Sequence, residues 1–402
     1  MKNYTLVSFL VLLIFSGCGS SKIKNYLKEG KTLEDNYKTT IPFTYRNDLI
    51  VIEVQINNNS YNFILDTGAT NIISEELANK LNLNTLGADN VQDIHRNEQS
   101  MRFAKIENIG IGEINFLNTT TGISDVLNEV YPFRCMKVDG IIGSNLMQHA
   151  VWDFNFKNQR ITITDKESKL NIPSQYKQSK MYIGVGGIPS VTSYINNRKV
   201  FNNTIDLGYN GGVVIPQSVF EEQKKEGKID EFIKGYGELP TGAFGKTDKN
   251  KFYNSKIDKI QFGDFIIKDK IVYSDHATHN TFGLDFFKDY RVILNWNKKQ
   301  IKIIENIPIK KDSYNSFGYS LSLENNHVII SSIIEESSAS KYLEIGDHVI
   351  SINKIDLSSI KENQWCKIWE EDIFDKSLKQ MTISILRNGE EYHYEVKKMH
   401  LL

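Results

Sequence analysis

Three cysteines in 402 residues cannot build a disulfide framework. Seven prolines and 26 glycines leave the chain neither proline-rich nor collagen-like. An excess of one charge is also missing: 48 Lys and Arg stand against 49 Asp and Glu, a net charge of −1. A nucleic-acid binder usually carries a basic face, so no nucleic-acid partner is expected. The balance also gives no electrostatic reason for a strongly charged substrate. No Gly-x4-Gly-Lys-Ser/Thr phosphate loop, His-Glu-x-x-His metal motif or Gly-x-Ser-x-Gly nucleophile elbow occurs. His276 and His279 stand three apart without a clear third ligand. They read as polar loop histidines, so neither a metal nor a cofactor is expected. Aromatic residues at 11% and charged residues at 24% suit a folded chain with a real core. The length suggests two or three domains of ~150 residues.

The longest apolar run lies near the start. Leu6 to Phe15 is interrupted only by Ser8. It is too short to span a bilayer as a helix, which takes ~20 residues, but it has the length of a signal-peptide core. Ser16, Gly17 and Cys18 follow at once. This arrangement resembles a bacterial lipoprotein signal. The resemblance implies removal of residues 1–17, lipidation of Cys18, and a place in the bacterial cell envelope, anchored to a membrane on its periplasmic or surface side. An ordinary cleaved signal is the alternative. Residues 18–39 are polar and read as a tether. Cys135 and Cys366 then remain, in different predicted domains. Two buried free thiols are expected, with a bridge left open for an oxidising compartment.

A repeat runs through the middle of the chain. Asp66, in Phe63-Ile64-Leu65-Asp66-Thr67-Gly68-Ala69-Thr70, and Asp206, in Asn203-Thr204-Ile205-Asp206-Leu207-Gly208-Tyr209, are 140 residues apart. The same offset relates Gly143 to Gly283, Asn155 to Asn295, Phe156 to Trp296, and Ile161 to Ile301. Ordered matches of this kind mark two copies of one unit. Each copy reads as mostly β. Leu49 to Ile56 alternates, Asn57 to Ser60 signals a turn, and Arg160 to Thr164 alternates again. Short helices are expected from Ser74 through Leu81 and from Pro216 to Lys225.

An aspartate followed by Thr-Gly after an apolar strand, with Asp139-Gly140-Ile141-Ile142-Gly143-Ser144-Asn145-Leu146 downstream, resembles the bacterial retropepsin and pepsin-like aspartic peptidases. The resemblance covers about residues 40–305. It implies lobe 1 over 40–168, lobe 2 over 169–309, and a ψ-shaped strand crossing in each. It also implies a catalytic pair, Asp66 and Asp206, supported by Thr67, Gly68 and Gly208. Two carboxyls held close cannot both ionise cheaply, so they share a proton. One then activates a water while the other protonates the peptide carbonyl. Glycine at 68 and 208 permits the tight turns. The second copy departs from the family pattern: Leu207 stands where a hydroxyl is expected, and Tyr209 where a small residue is usual. A catalytically degenerate scaffold lipoprotein is therefore the alternative. Flap hairpins are expected at Ala88 to Phe103 and Gly235 to Lys246, as moving lids or plain surface loops.

After Lys310 the pattern changes. Ser316-Phe317-Gly318-Tyr319 precedes alternating strands, then Gly346-Asp347 and His348-Val349-Ile350-Ser351-Ile352-Asn353. A helical stretch from Ile360 to Phe374 and a hairpin turned at Arg387-Asn388-Gly389-Glu390 complete it. Residues 310–402 resemble a PDZ domain. That resemblance places Phe317, Gly318 and Tyr319 in the loop that receives a peptide C-terminus, with the peptide adding to a sheet edge. The fold class expected is mainly β: a two-lobed aspartic-peptidase-like double-psi fold followed by a PDZ-like β domain. Its partners would be a peptide or protein substrate, a peptide C-terminus and, through the lipid, a membrane.

Overall fold

A computed structural model describes residues 21–129, 133–245, 248–276, 279–305, 312–371 and 377–402. Cys18 and Lys246 lie outside the described residues. The molecule is mainly β, built as two lobes and a C-terminal β domain.

Local pattern sets the strands. Leu49–Ile56 is buried on both faces over Leu49–Ile52 and alternates only beyond, then turns at Asn57 and Asn58, both left-handed, into Asn59–Asp66, which runs back antiparallel. Asparagine tolerates that conformation better than most residues. The Ser74 hydroxyl caps the helix Glu75–Lys80 by accepting from Leu77 N–H, and the second copy has its helix at Gln217–Lys225.

A six-stranded antiparallel sheet, counted among the described residues, joins the lobes. Lobe 1 supplies Lys38–Pro42, Val151–Asn155 and Arg160–Thr164; lobe 2 supplies Lys177–Lys180, Tyr290–Asn295 and Gln300–Glu305. At its centre Val151–Asn155 pairs with Tyr290–Asn295 in a register that sets Asp153 opposite Ile293. Those residues are 140 apart, so each faces its own counterpart and the repeat becomes a pseudo-twofold. One core runs through both lobes, from Phe63, Trp152 and Phe154 to Leu207, Phe262, Phe282 and Trp296.

Residues 21–38 correct the tether reading. The helix Ser21–Tyr26 buries Ile23, and Leu27 just beyond it is fully buried against the lobe 1 core. Lys31–Thr32 pairs with the edge of Ile114–Ile123, and Tyr37 is buried. Two apolar side chains four apart make one helical stripe. Its polar surroundings mask that stripe in the sequence.

The cysteines also correct the expectation. Cys135, in the helix Phe133–Met136 of lobe 1, is disulfide-bonded to Cys366, in the helix Glu362–Glu371 of the C-terminal domain, with Cα atoms 5.1 Å apart. Domain docking brings the thiols together, and no local pattern records that.

The C-terminal domain has its own core around Tyr319, Val328, Ile330, Val349, Trp365 and Ile383. It is joined to lobe 2 as a continuous sheet. Its strand His327–Ile334 pairs antiparallel with Phe232–Gly237, setting Gly235 opposite Ile334 and Gly237 opposite Ser332. The chain end closes this joint: Leu401 and Leu402 pack with Ile233, Leu239, Phe252 and Ile334.

Candidate active site

The two aspartates end equivalent strands. In lobe 1, Asn59–Asp66 lies parallel to Gly140–Gly143, with Asp66 beside Gly143. In lobe 2, Arg198–Asp206 lies parallel to Thr281–Gly283, with Asp206 beside Gly283. Gly143 is required there, because a Cβ would come within 2.5 Å of Ala69 O and 2.3 Å of Thr70 C.

The structure brings Asp66 and Asp206 together. A Cβ on Gly68 would meet the Asp206 carboxyl carbon at 2.5 Å, and one on Gly208 would meet that of Asp66 at 2.1 Å. Each carboxyl thus rests on the other loop's glycine. Gly68 N–H donates to Asp66 Oδ1 at 2.7 Å and Gly208 N–H to Asp206 Oδ1 at 2.9 Å. Both side chains are fully buried, and neither Oδ2 has a donor elsewhere in the protein. A bond between the carboxyls therefore exists only with one proton held between them. Burial raises the proton affinity of both aspartates; at Asp66 the charge of Asp206 adds to it, while backbone N–H groups oppose it at both. The pair titrates as a unit well above the usual carboxylate range.

Thr67 supplies a one-sided grip. Its hydroxyl donates to Ile205 O at 2.6 Å and accepts from Leu207 N–H at 2.9 Å. Leu207 returns no such bond; its side chain is buried in the shared core. Tyr209 is accommodated by missing side chains: a Cβ on Gly211 or Gly283 would strike its ring at 2.2 or 2.5 Å.

Sequence reasoning missed an amide network under the first loop. Asn71 Oδ1 accepts from Gly143 N–H, Asn145 Oδ1 accepts from Asn71 N–H, and Asn145 Nδ2 donates to Thr120 O, at 2.7–2.8 Å. Ser144 Oγ donates to Thr67 O at 2.7 Å. The second copy has Gly211 and Asp285 in the equivalent places and uses backbone bonds, Gly283 N–H to Gly212 O and Asp285 N–H to Gly211 O. The signal available was an asparagine three residues after Gly68 and another two after Gly143, at positions that hold Gly211 and Asp285 in the second copy.

Both flap segments fold as hairpins. Thr85–Gln92 pairs with Glu98–Ile111, with Ala88 opposite Arg102, and Phe232–Gly237 pairs with Asn250–Phe262. Their tips meet. Phe244 N–H donates to Asp93 Oδ2 at 3.1 Å, and His95 Nε2–H donates to Pro240 O at 2.6 Å. Ile94, from the first flap, packs with Tyr209 and Val214 of lobe 2. His279 lies in a loop, buried beside the stacked rings of His95 and His276. Burial holds its imidazole down to about 4.

In the C-terminal domain, Phe317 and Tyr319 turn inward to the core. Gly318 is left-handed, and a Cβ there would collide with Ser337. Its N–H donates to Ser316 Oγ at 3.0 Å. Tyr319–Glu324 pairs with His327–Ile334 along one edge; among the described residues no strand pairs with the other.

A family model described as aspartyl protease matches residues 52–146, and one described as PDZ domain matches residues 306–368. The chain carries an aspartyl protease-like domain and a PDZ domain. No curated protein matches it at a significant level. Among solved structures it is similar to basic 7S globulin from soybean, at 10% identity and a TM-score of 0.41, covering 67% of this chain and 95% of that one. It is also similar to conglutin gamma, a basic 7S globulin from lupine seeds, at 9% identity and 0.44, covering 68% and 96%. The aspartyl protease match includes Asp66 and the Gly140–Gly143 strand, whereas Asp206 comes from the second copy. The PDZ match includes the loop 317–319 and the cysteine-bearing helix up to Ile368.

Proposed function

We propose that this protein is an aspartic endopeptidase that hydrolyses peptide bonds through Asp66 and Asp206. The observation that carries the reading is the pair of buried carboxyls, each seated on the other loop's glycine, with both Oδ2 atoms lacking other donors. A pair that retains one proton can do both halves of the reaction. The ionised carboxyl takes a proton from an attacking water, and the protonated one gives its proton to the carbonyl oxygen. Asp206 fills the place that a homodimer would fill with a second Asp66, so one chain suffices. Leu207 favours the second reading, a scaffold that has lost chemistry, because the grip on the second loop has one hydroxyl instead of two.

The PDZ domain would receive a peptide C-terminus at the loop 317–319 and add the peptide to the free edge of Tyr319–Glu324. Cys18 would carry a lipid that anchors the protein to a membrane of the bacterial envelope. Among the described residues no helix is long and apolar enough to cross a membrane. The test is a peptide library assayed from acid to neutral pH with wild type and Asp66→Asn. Cleavage by the wild type, lost in a folded variant, is expected. Equal cleavage by both would overturn the assignment, and none by either would favour the scaffold.

A further inference from the structure

The PDZ domain is fastened to both sides of the cleft. On lobe 2 its strand His327–Ile334 extends the second flap hairpin, reinforced by Glu238 N–H to Ser331 O, Glu335 N–H to Lys234 O, and the Lys234–Glu335 ion pair. Gly237 makes the approach possible, since a Cβ there would come within 2.3 Å of Ser331 O. On lobe 1 the domain is held through Cys366 to Cys135, with Arg134 paired to Glu362 beside the bond. That ion pair is exposed and contributes little.

The flap tip lands on the same part of lobe 1. Ala243 and Phe244 pack in the core cluster that contains Phe133 and Met136, from the helix that carries Cys135. Flap strand, flap tip, lobe 1 helix, disulfide and PDZ strand thus form a closed ring, and Asp66 and Asp206 have no solvent exposure. Carboxyls buried this fully meet a substrate only after covering elements move.

We propose that the Cys135–Cys366 disulfide is a redox clasp that keeps the flaps closed, and that a dithiol reductant opens the cleft by cutting it. Cys366 is partly exposed while Cys135 is buried, so the reductant's thiolate attacks Cys366 Sγ. The S–S bond breaks, Cys135 leaves as a thiolate and takes up a proton, and a mixed disulfide forms. The reductant's second thiol then displaces Cys366 and leaves as a disulfide, so the protein gains two thiols from two electrons and two protons. The bond spans 231 residues, and cutting it returns freedom to the open state. The flap and the PDZ domain, still joined by their sheet, then swing off lobe 1 together.

This regulation rests on the peptidase reading only for its effect on catalysis, so the test has two readouts. Amide hydrogen exchange is followed on the full chain, oxidised and then reduced with a dithiol, and on a Cys135→Ser/Cys366→Ser variant. Exchange at the Phe244 amide and in residues 93–97 is expected to rise about tenfold or more on reduction. The double variant should exchange like the reduced protein and ignore reductant. Unchanged protection in reduced wild type overturns the clasp, whether or not the variant folds. Peptide cleavage is measured in parallel. Exchange that responds without any cleavage upholds the clasp and rejects the peptidase, whereas cleavage indifferent to reductant, with unchanged exchange, does the reverse.

Discussion

Asp153 and Ile293 face each other at the middle of the inter-lobe sheet, and each is the other's counterpart in the repeat. The symmetry stops at their side chains. Asp153 takes a two-pronged bond from Arg291, Nε–H to Oδ1 and Nη2–H to Oδ2, both 2.8 Å. Asp153 is buried, so removing its partner strands a charge. Arg291→Met should lower unfolding stability by about 2–4 kcal/mol. Denaturant midpoints with an unchanged slope would measure it, and a loss within error would show the pair to be dispensable.

The carboxyl pair should cost stability at neutral pH. Both aspartates hold protons more tightly folded than unfolded. Between the unfolded value, near 4, and the raised folded values, the native state binds more protons, so stability falls as pH rises through that window. Asp66→Asn removes the share of the cost carried by Asp66 and leaves that of the buried Asp206. The variant's melting temperature should exceed wild type at pH 7–8 by the equivalent of about 1–3 kcal/mol, with the gap closing near pH 4. A pH-independent gap would contradict the shared proton.

Gly208→Ala should disrupt the site more than the fold. The added methyl would sit 2.1 Å from the Asp66 carboxyl carbon, and Asp66 is fixed by its own loop. A stability loss of about 1–3 kcal/mol is expected, together with loss of peptide cleavage. Activity at the wild-type level would show that the two carboxyls can separate freely.

His279 should govern the acid side. Its folded value is lowered to about 4, chiefly by burial. The unfolded state takes its proton near pH 6.5, so it binds more protons than the native state between those values, and stability falls as pH drops. His279→Asn should flatten this limb, recovering on the order of 1–3 kcal/mol at pH 4.5 relative to pH 7. Melting curves across pH 4–7 give the comparison, and parallel limbs would refute it.

Much of the site is legible because its chemistry is local. Aspartate, a tight glycine turn and an apolar strand recur together at 66 and 206, and the structure brings both carboxyls to one point. Leu207 was readable as a lost hydroxyl, and the grip is indeed made by Thr67 alone. The Asn71–Asn145 network was not, because its partners come from different loops and one copy replaces them with backbone bonds. Tyr209 looked out of place until Gly211 and Gly283 proved to leave room for its ring.

Alternation, turn asparagines and helix caps act within a few residues, so the chain alone determined its strands, its repeat and the acids those strands carry. Contacts between surfaces distant in sequence were decided only on folding. They include the seating of residues 21–38 on lobe 1, the joining of the PDZ strand to the second flap, and the meeting of Cys135 with Cys366 across 231 residues. Local pattern sets which face of an element is apolar. Which partner covers that face depends on the shape and hydrogen-bonding edges of the whole molecule, and no short stretch of sequence carries that information.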